Sequence, residues 1–84
     1  MKPVRLTQHA KEQCLERGAT EAEVVCAVRT GACEPARLGR ELCRCNFPFG
    51  RHWQGRFYAT KQVAPVIKEE PDEIVVITVY TFYF

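Results

Sequence analysis

Two pairs of start and stop signals constrain this chain more than any other feature: Thr7 and Gly18 bracket one short segment, and Thr20 and Gly31 bracket the next. A threonine hydroxyl can accept from a free backbone N–H in a helix's first turn, and glycine can adopt the left-handed conformation that closes a helix. Glu23, three residues after Thr20, adds the reciprocal bond of a capping box. The spacing predicts helices over 8–17 and 21–30, the second with Val24, Val25 and Val28 facing inward. Helices this short are marginal alone, so the rest of the chain must supply a surface for them.

That remainder reads as strands. Cys43, Cys45, Phe47 and Phe49 share one parity opposite Leu42, Arg44 and Asn46, as expected of a strand with two unlike faces. Residues 57–61 form another strand, which 63–69 either continues past a bend or follows as a separate one. Pro65 has no N–H to give a central ladder and predicts an edge or a bulge. The run EEPDE at 69–73 is a polar turn, so the stretches on either side form a hairpin. Ile74, Val75, Val76, Ile77 and Val79 lack strict alternation, which predicts a central strand covered on both faces. Residues 50–55 are the best candidate for an exposed loop. The expected fold is α+β: two N-terminal helices packed on a curved antiparallel sheet of three to four strands, in a single domain over 1–84.

The 84 residues leave room for one modest core. The longest apolar run, 74–77, is far too short to span a bilayer, and the first residues lack a signal peptide's apolar core, so a cytoplasmic protein is expected. Five cysteines are an odd count without an export signal, which favours reduced thiols. The net charge of +2 hides a division along the chain: residues 32–61 carry six basic and two acidic groups, and residues 62–84 one and four. A local basic excess can attract phosphate, although such charge is more often solvated surface.

Three constellations carry candidate chemistry. On the first helix Leu6, Ala10 and Cys14 form an apolar stripe, with His9, Gln13 and Arg17 as a ridge along its edge. Imidazole moves protons near neutral pH and guanidinium grips phosphate with paired hydrogen bonds; equally, His9 can help cap the first turn and Arg17 can pair within the fold. The second is Arg51, His52, Trp53, Arg56, Tyr58 and Lys61, where cations alternate with flat rings as nucleic-acid binding requires, though ordinary amphipathic strands do the same. The third is a zinc alternative from Cys33, Cys43, Cys45 and His52; its spacing is poor, and buried structural cysteine is the competing account. No cofactor is called for. The sequence has no serine, hence no serine triad.

Thr7, His9, Ala10, Arg17, Gly18 and Thr20, with the closing run Val76, Ile77, Thr78, Val79 and Tyr80, resemble a bacterial family of small domains with the signature T-x-H-A-x-x-R-x-x-x-R-G. Gln13 and Ala19 stand where that family usually has arginine and isoleucine. The resemblance implies a relation in fold to ribonuclease toxins of the RelE and BrnT type, and metal-independent RNA cleavage in which the ribose 2′-hydroxyl attacks its own phosphodiester. It implies His9 or His52 as proton carriers, Arg17 and Arg51 as phosphate clamps, and Lys61 or Tyr80 in support. The rival expectation is a non-catalytic module for a protein or nucleic acid. The aromatic residues Tyr80, Phe82, Tyr83 and Phe84 further predict a homodimer or an antitoxin-like partner at the last strand.

Overall fold

The computed structural model describes all residues 1–84. It is an α+β fold with elements β1 (Val4–Leu6), α1 (Gln8–Arg17), α2 (Glu21–Thr30), β2 (Ala32–Pro35), a short 3-10 turn (Arg37–Gly39), β3 (Glu41–Trp53), β4 (Arg56–Glu69) and β5 (Ile74–Tyr83). Both helices have the bounds that their caps predict: the Thr7 hydroxyl accepts from Ala10 N–H, Gly18 is left-handed at φ +75°, and the Thr20–Glu23 capping box is complete. Gly31 ends α2 in an extended rather than a left-handed conformation.

The sheet has five strands, ordered β1-β5-β4-β3-β2, rather than three or four. It is mixed, not purely antiparallel, because β1 runs parallel to β5. The two extra strands are edge pieces of three and four residues, too short to show any alternation in the sequence. Both helices lie on one face, where Leu6, Ala10, Cys14, Val24, Cys43, Val63, Ile67, Val76 and Val79 form the core. Val24 is fully buried, while Val25 and Val28 are only partly so. No helix is long and apolar enough to cross a membrane.

Two expectations about the strands need correction, and that for Pro65 holds in only one of its two forms, a bulge and not an edge. The broken alternation of 74–79 reflects a bulge, not two covered faces: Ile67 pairs with Val76 but Val66 pairs with Thr78, leaving Ile77 as the extra residue. One extra residue reverses the parity, so Val76 and Val79 both point into the core. Pro65 lies in the central strand β4, fully buried, and that same bulge begins at the next residue. Pairing with β3 is interrupted at its level, passing from Leu42–Val66 to Cys45–Val63. Residues 50–53 are strand rather than loop; only Gln54 and Gly55, both at positive φ, make the turn. A two-residue turn of that hand matches the natural twist of a hairpin. A second bulge between Pro48 and Arg51 bends the β3–β4 arm.

Cys33 and Cys43 face each other across β2 and β3 and form a disulfide, which overturns the expectation of five reduced thiols. Cys14, Cys26 and Cys45 remain free.

Candidate functional site

The predicted basic and aromatic cluster divides between two roles. Trp53 stacks on Tyr83 at 5.1 Å, Phe49 meets the same ring edge-on at 5.2 Å, and Tyr58 lies 5.6 Å from it. The Tyr83 hydroxyl donates to the Arg17 carbonyl at 2.6 Å, so these rings clamp the β3–β4 arm onto the end of α1. Burial pushes the Tyr83 phenol up from its ordinary pKa. Lys61 is buried, donating to the Gly18 carbonyl at 2.8 Å and pairing with Glu23 at 2.8 Å. Lys61 therefore serves the fold, contrary to its expected place on an RNA surface, while Trp53 and Tyr58 are half-buried members of the clamp. Arg51 lies over the Phe49 ring at 4.6 Å, and Arg56 is exposed beside the hairpin turn.

The two histidines do not converge. His9 Nε2 is 3.4 Å from the Thr78 hydroxyl, whereas His52 packs edge-on against Phe57 near the tip of the arm. Thr78 aligns with Val66 and through it with Leu42, and His52 lies ten residues farther along β3. At the rise of an extended strand that is roughly 30 Å. His52 thus cannot share a reaction with His9, so only one of the two candidate proton carriers can act at a site on α1.

The ridge on α1 follows the free edge of β5 beyond the end of β1. The Thr7 hydroxyl donates to the Ile77 carbonyl, and Arg17 Nη1 donates to the Val79 carbonyl at 3.0 Å. Such contacts satisfy edge groups that would otherwise invite another strand. Arg17 also spreads over the Tyr80 ring at 5.2 Å, so its charge lies beside the face of the sheet that no helix covers.

On that open face is a cleft of about 330 Å³, lined by Ala36, Arg37, Leu38, Arg40, Val66, Thr78 and Tyr80. Val66 and Thr78 are directly paired on neighbouring strands and form the floor. The segment after β2 folds over as the wall, with Leu38 and Gly39 both left-handed at φ +62° and +70°. Leu38 holds this conformation although 80 % exposed, a strain of about 1–2 kcal/mol with no burial to offset it. Neither Arg37 nor Arg40 is paired with a carboxylate. Farther along the face, Tyr80, Phe82 and Phe84 are 43 %, 45 % and 58 % exposed, with Arg44 over Phe82 at 5.8 Å.

Arg37 and Arg40 were not evident as site residues; the available signal was the RLGR run, two cations flanking Leu38 and Gly39 between the second predicted helix and the first predicted strand. The zinc alternative fails on geometry: Cys33 and Cys43 are joined, His52 lies near the tip of the arm, and no three His, Cys, Asp or Glu side chains form a metal-holding group. Comparison with known protein families, with characterised proteins and with solved structures finds no match. The functional reading rests on the cleft and its charges.

Proposed function

We propose that this protein acts on RNA in the manner of the small ribonuclease toxins to which the resembled family is related in fold, with the open-face cleft as its site. The supporting observation is one arrangement: Arg37 and Arg40 line a cleft whose Tyr80 wall carries Arg17, and whose Thr78 floor touches His9. A phosphodiester in the cleft meets guanidinium groups able to hold its oxygens in pairs. The neighbouring Tyr80, Phe82 and Phe84 rings offer stacking faces for unpaired bases.

The chemistry this set supports is transesterification. His9 takes the proton of the ribose 2′-hydroxyl, that oxygen attacks the adjacent phosphorus, and the bond to the 5′-oxygen breaks, leaving a cyclic phosphate. Arg17, Arg37 and Arg40 stabilise the charge gathering on the phosphoryl oxygens. Tyr80 is the hydroxyl in the cleft that can protonate the leaving oxygen. An antitoxin-like partner or a second copy seated on the aromatic face would block this site.

The test uses purified protein with single-stranded RNA and with translating ribosomes. Wild type is expected to cut RNA in at least one setting, His9→Ala to lose cleavage while keeping its binding, and the double variant R37A/R40A to lose both. Unbound and intact RNA in both settings would end the proposal. A second reading, binding without cleavage, is favoured by the separation of His52 from His9. It requires that His9→Ala and wild type bind equally and that neither cuts.

A further inference from the structure

We propose that Cys26 and Cys45 are an oxidisable pair that closes a second disulfide between α2 and β3. Their juxtaposition follows from how α2 lies on the sheet. Glu23 pairs with Lys61, whose neighbour on β3 is Phe47, so this end of α2 lies near Phe47. At the other end, a Cβ added to Gly31 would fall 2.5 Å from the Arg44 carbonyl oxygen, so α2 ends against Arg44. Between these anchors the helix advances about 12 Å over eight residues and the strand about 10 Å over three, so the two run in step. Cys26, one turn after Glu23, falls between the anchors, as Cys45 does on β3. Thr30 joins the group: its hydroxyl is 3.5 Å from the Cys26 sulfur. Burial first, then the nearby Cys26, raises the Cys45 thiol above its ordinary pKa.

The oxidant class is a small disulfide such as oxidised glutathione. The Cys26 thiolate attacks one glutathione sulfur, expelling the other as a thiolate and leaving a mixed disulfide on Cys26. Cys45 gives up its proton and attacks the Cys26 sulfur, expelling the second glutathione. Two protein thiols lose two electrons, and one glutathione disulfide becomes two thiols. Cys26 is the first to react, because burial holds Cys45 protonated. The product ties the middle of α2 to the strand that already carries the Cys33–Cys43 bridge.

Trypsin separates all five cysteines, placing Cys26 in 18–29, Cys33 in 30–37, Cys43 in 41–44, Cys45 in 45–51 and Cys14 in 12–17. The folded chain is equilibrated with graded ratios of oxidised to reduced glutathione, alkylated and mapped by mass spectrometry. The expected result is a linked pair of peptides 18–29 and 45–51 at oxidising ratios, with Cys14 alkylated throughout. In C26S the Cys45 peptide stays alkylated, and in C45S the mixed glutathione disulfide persists on Cys26. The inference is overturned if wild type, with Cys33–Cys43 closed, leaves Cys26 and Cys45 free or carries only separate glutathione adducts. Pairing of Cys45 with any residue other than Cys26 also overturns it. The wild-type map decides the matter even if a variant fails to fold.

Discussion

Lys61 Nζ lies 2.8 Å from a Glu23 carboxylate oxygen, with the lysine side chain 5 % exposed and the glutamate 21 %. The pair joins β4 to the first turn of α2, and the second bond of Lys61 to the Gly18 carbonyl draws in the end of α1. Removing the ammonium leaves a part-buried carboxylate and a helix-end carbonyl without their partner. Lys61→Ala should therefore destabilise the fold by about 2–4 kcal/mol, near the low end for a broken buried pair because Glu23 is not fully enclosed. Urea unfolding measures it. A loss under 0.5 kcal/mol accompanied by weaker RNA binding would return Lys61 to the surface role that the sequence suggests.

The same pair sets an acid limit. Burial alone raises the Glu23 pKa, but its bonds to Lys61 and Thr20 prevail, so the folded value lies below the ordinary one. A carboxyl depressed on folding stabilises the protein above its unfolded pKa, near ~4.3, and loses that contribution as pH falls through the folded value. The melting temperature of wild type should fall steeply below about pH 4. Glu23→Gln should start lower at neutral pH and show a shallower acid limb. Parallel limbs would mean that other carboxyls govern acid unfolding.

The helices were legible because their signals are local: a cap, a stop and an apolar stripe lie within one segment. Ala10 and Cys14 are buried as their spacing implies, whereas Leu6, expected on the same helical stripe, reaches the core from strand β1. The bulge at Ile77 was not legible, since a lost alternation looks the same whether two faces are covered or one residue is inserted. His9 and Arg17 do line the edge of β5, but Arg17 spends one nitrogen on the Val79 carbonyl, which a helical wheel cannot reveal. The cleft wall at Arg37–Arg40 lacks any periodic signal, and its position depends on β2, a strand exposed along its whole length.

Gly18 and Gly55 are both left-handed, at φ +75° and +82°, yet they should respond differently to alanine. A Cβ at Gly18 would lie 2.6 Å from the Tyr83 hydroxyl and 2.9 Å from the Trp53 ring, whereas nothing lies within 4 Å at Gly55. Gly55→Ala should cost about 1 kcal/mol, the strain of the left-handed conformation alone. Gly18→Ala adds displacement of the aromatic clamp, so about 3 kcal/mol is expected. The difference should appear in near-ultraviolet circular dichroism, where only the Gly18 variant disturbs the tryptophan signal.

Reduction of Cys33–Cys43 should loosen β2, whose four residues are all exposed and contribute nothing to the core. The bridge spans a sequence separation of 10, and loop-closure entropy at that length corresponds to about 2–3 kcal/mol. Cys33→Ser should lower the melting temperature by about 10 °C or more for a chain of this size. Hydrogen exchange should then become faster along 32–40 before the rest of the sheet. Exchange that accelerates uniformly would show that β2 does not detach by itself.

Arg37 and Arg40 provide a test of the cleft that leaves the core untouched, because neither side chain is in an ion pair and both stand on the open face. Single-stranded RNA releases counterions as its phosphates are neutralised, so log K falls with log salt by ~0.7 per phosphate contacted. Replacing both arginines by alanine should reduce that slope by ~1.4 if each meets one phosphate. The melting temperature should stay within about 2 °C of wild type, since side chains outside the core and without a charged partner contribute little to stability. Phe82→Ala provides the contrast: stacking loss weakens binding by about 1–3 kcal/mol at every salt concentration and leaves the slope unchanged. An unchanged slope in the arginine variant would exclude the cleft as the phosphate site, even if RNA still binds elsewhere on the sheet.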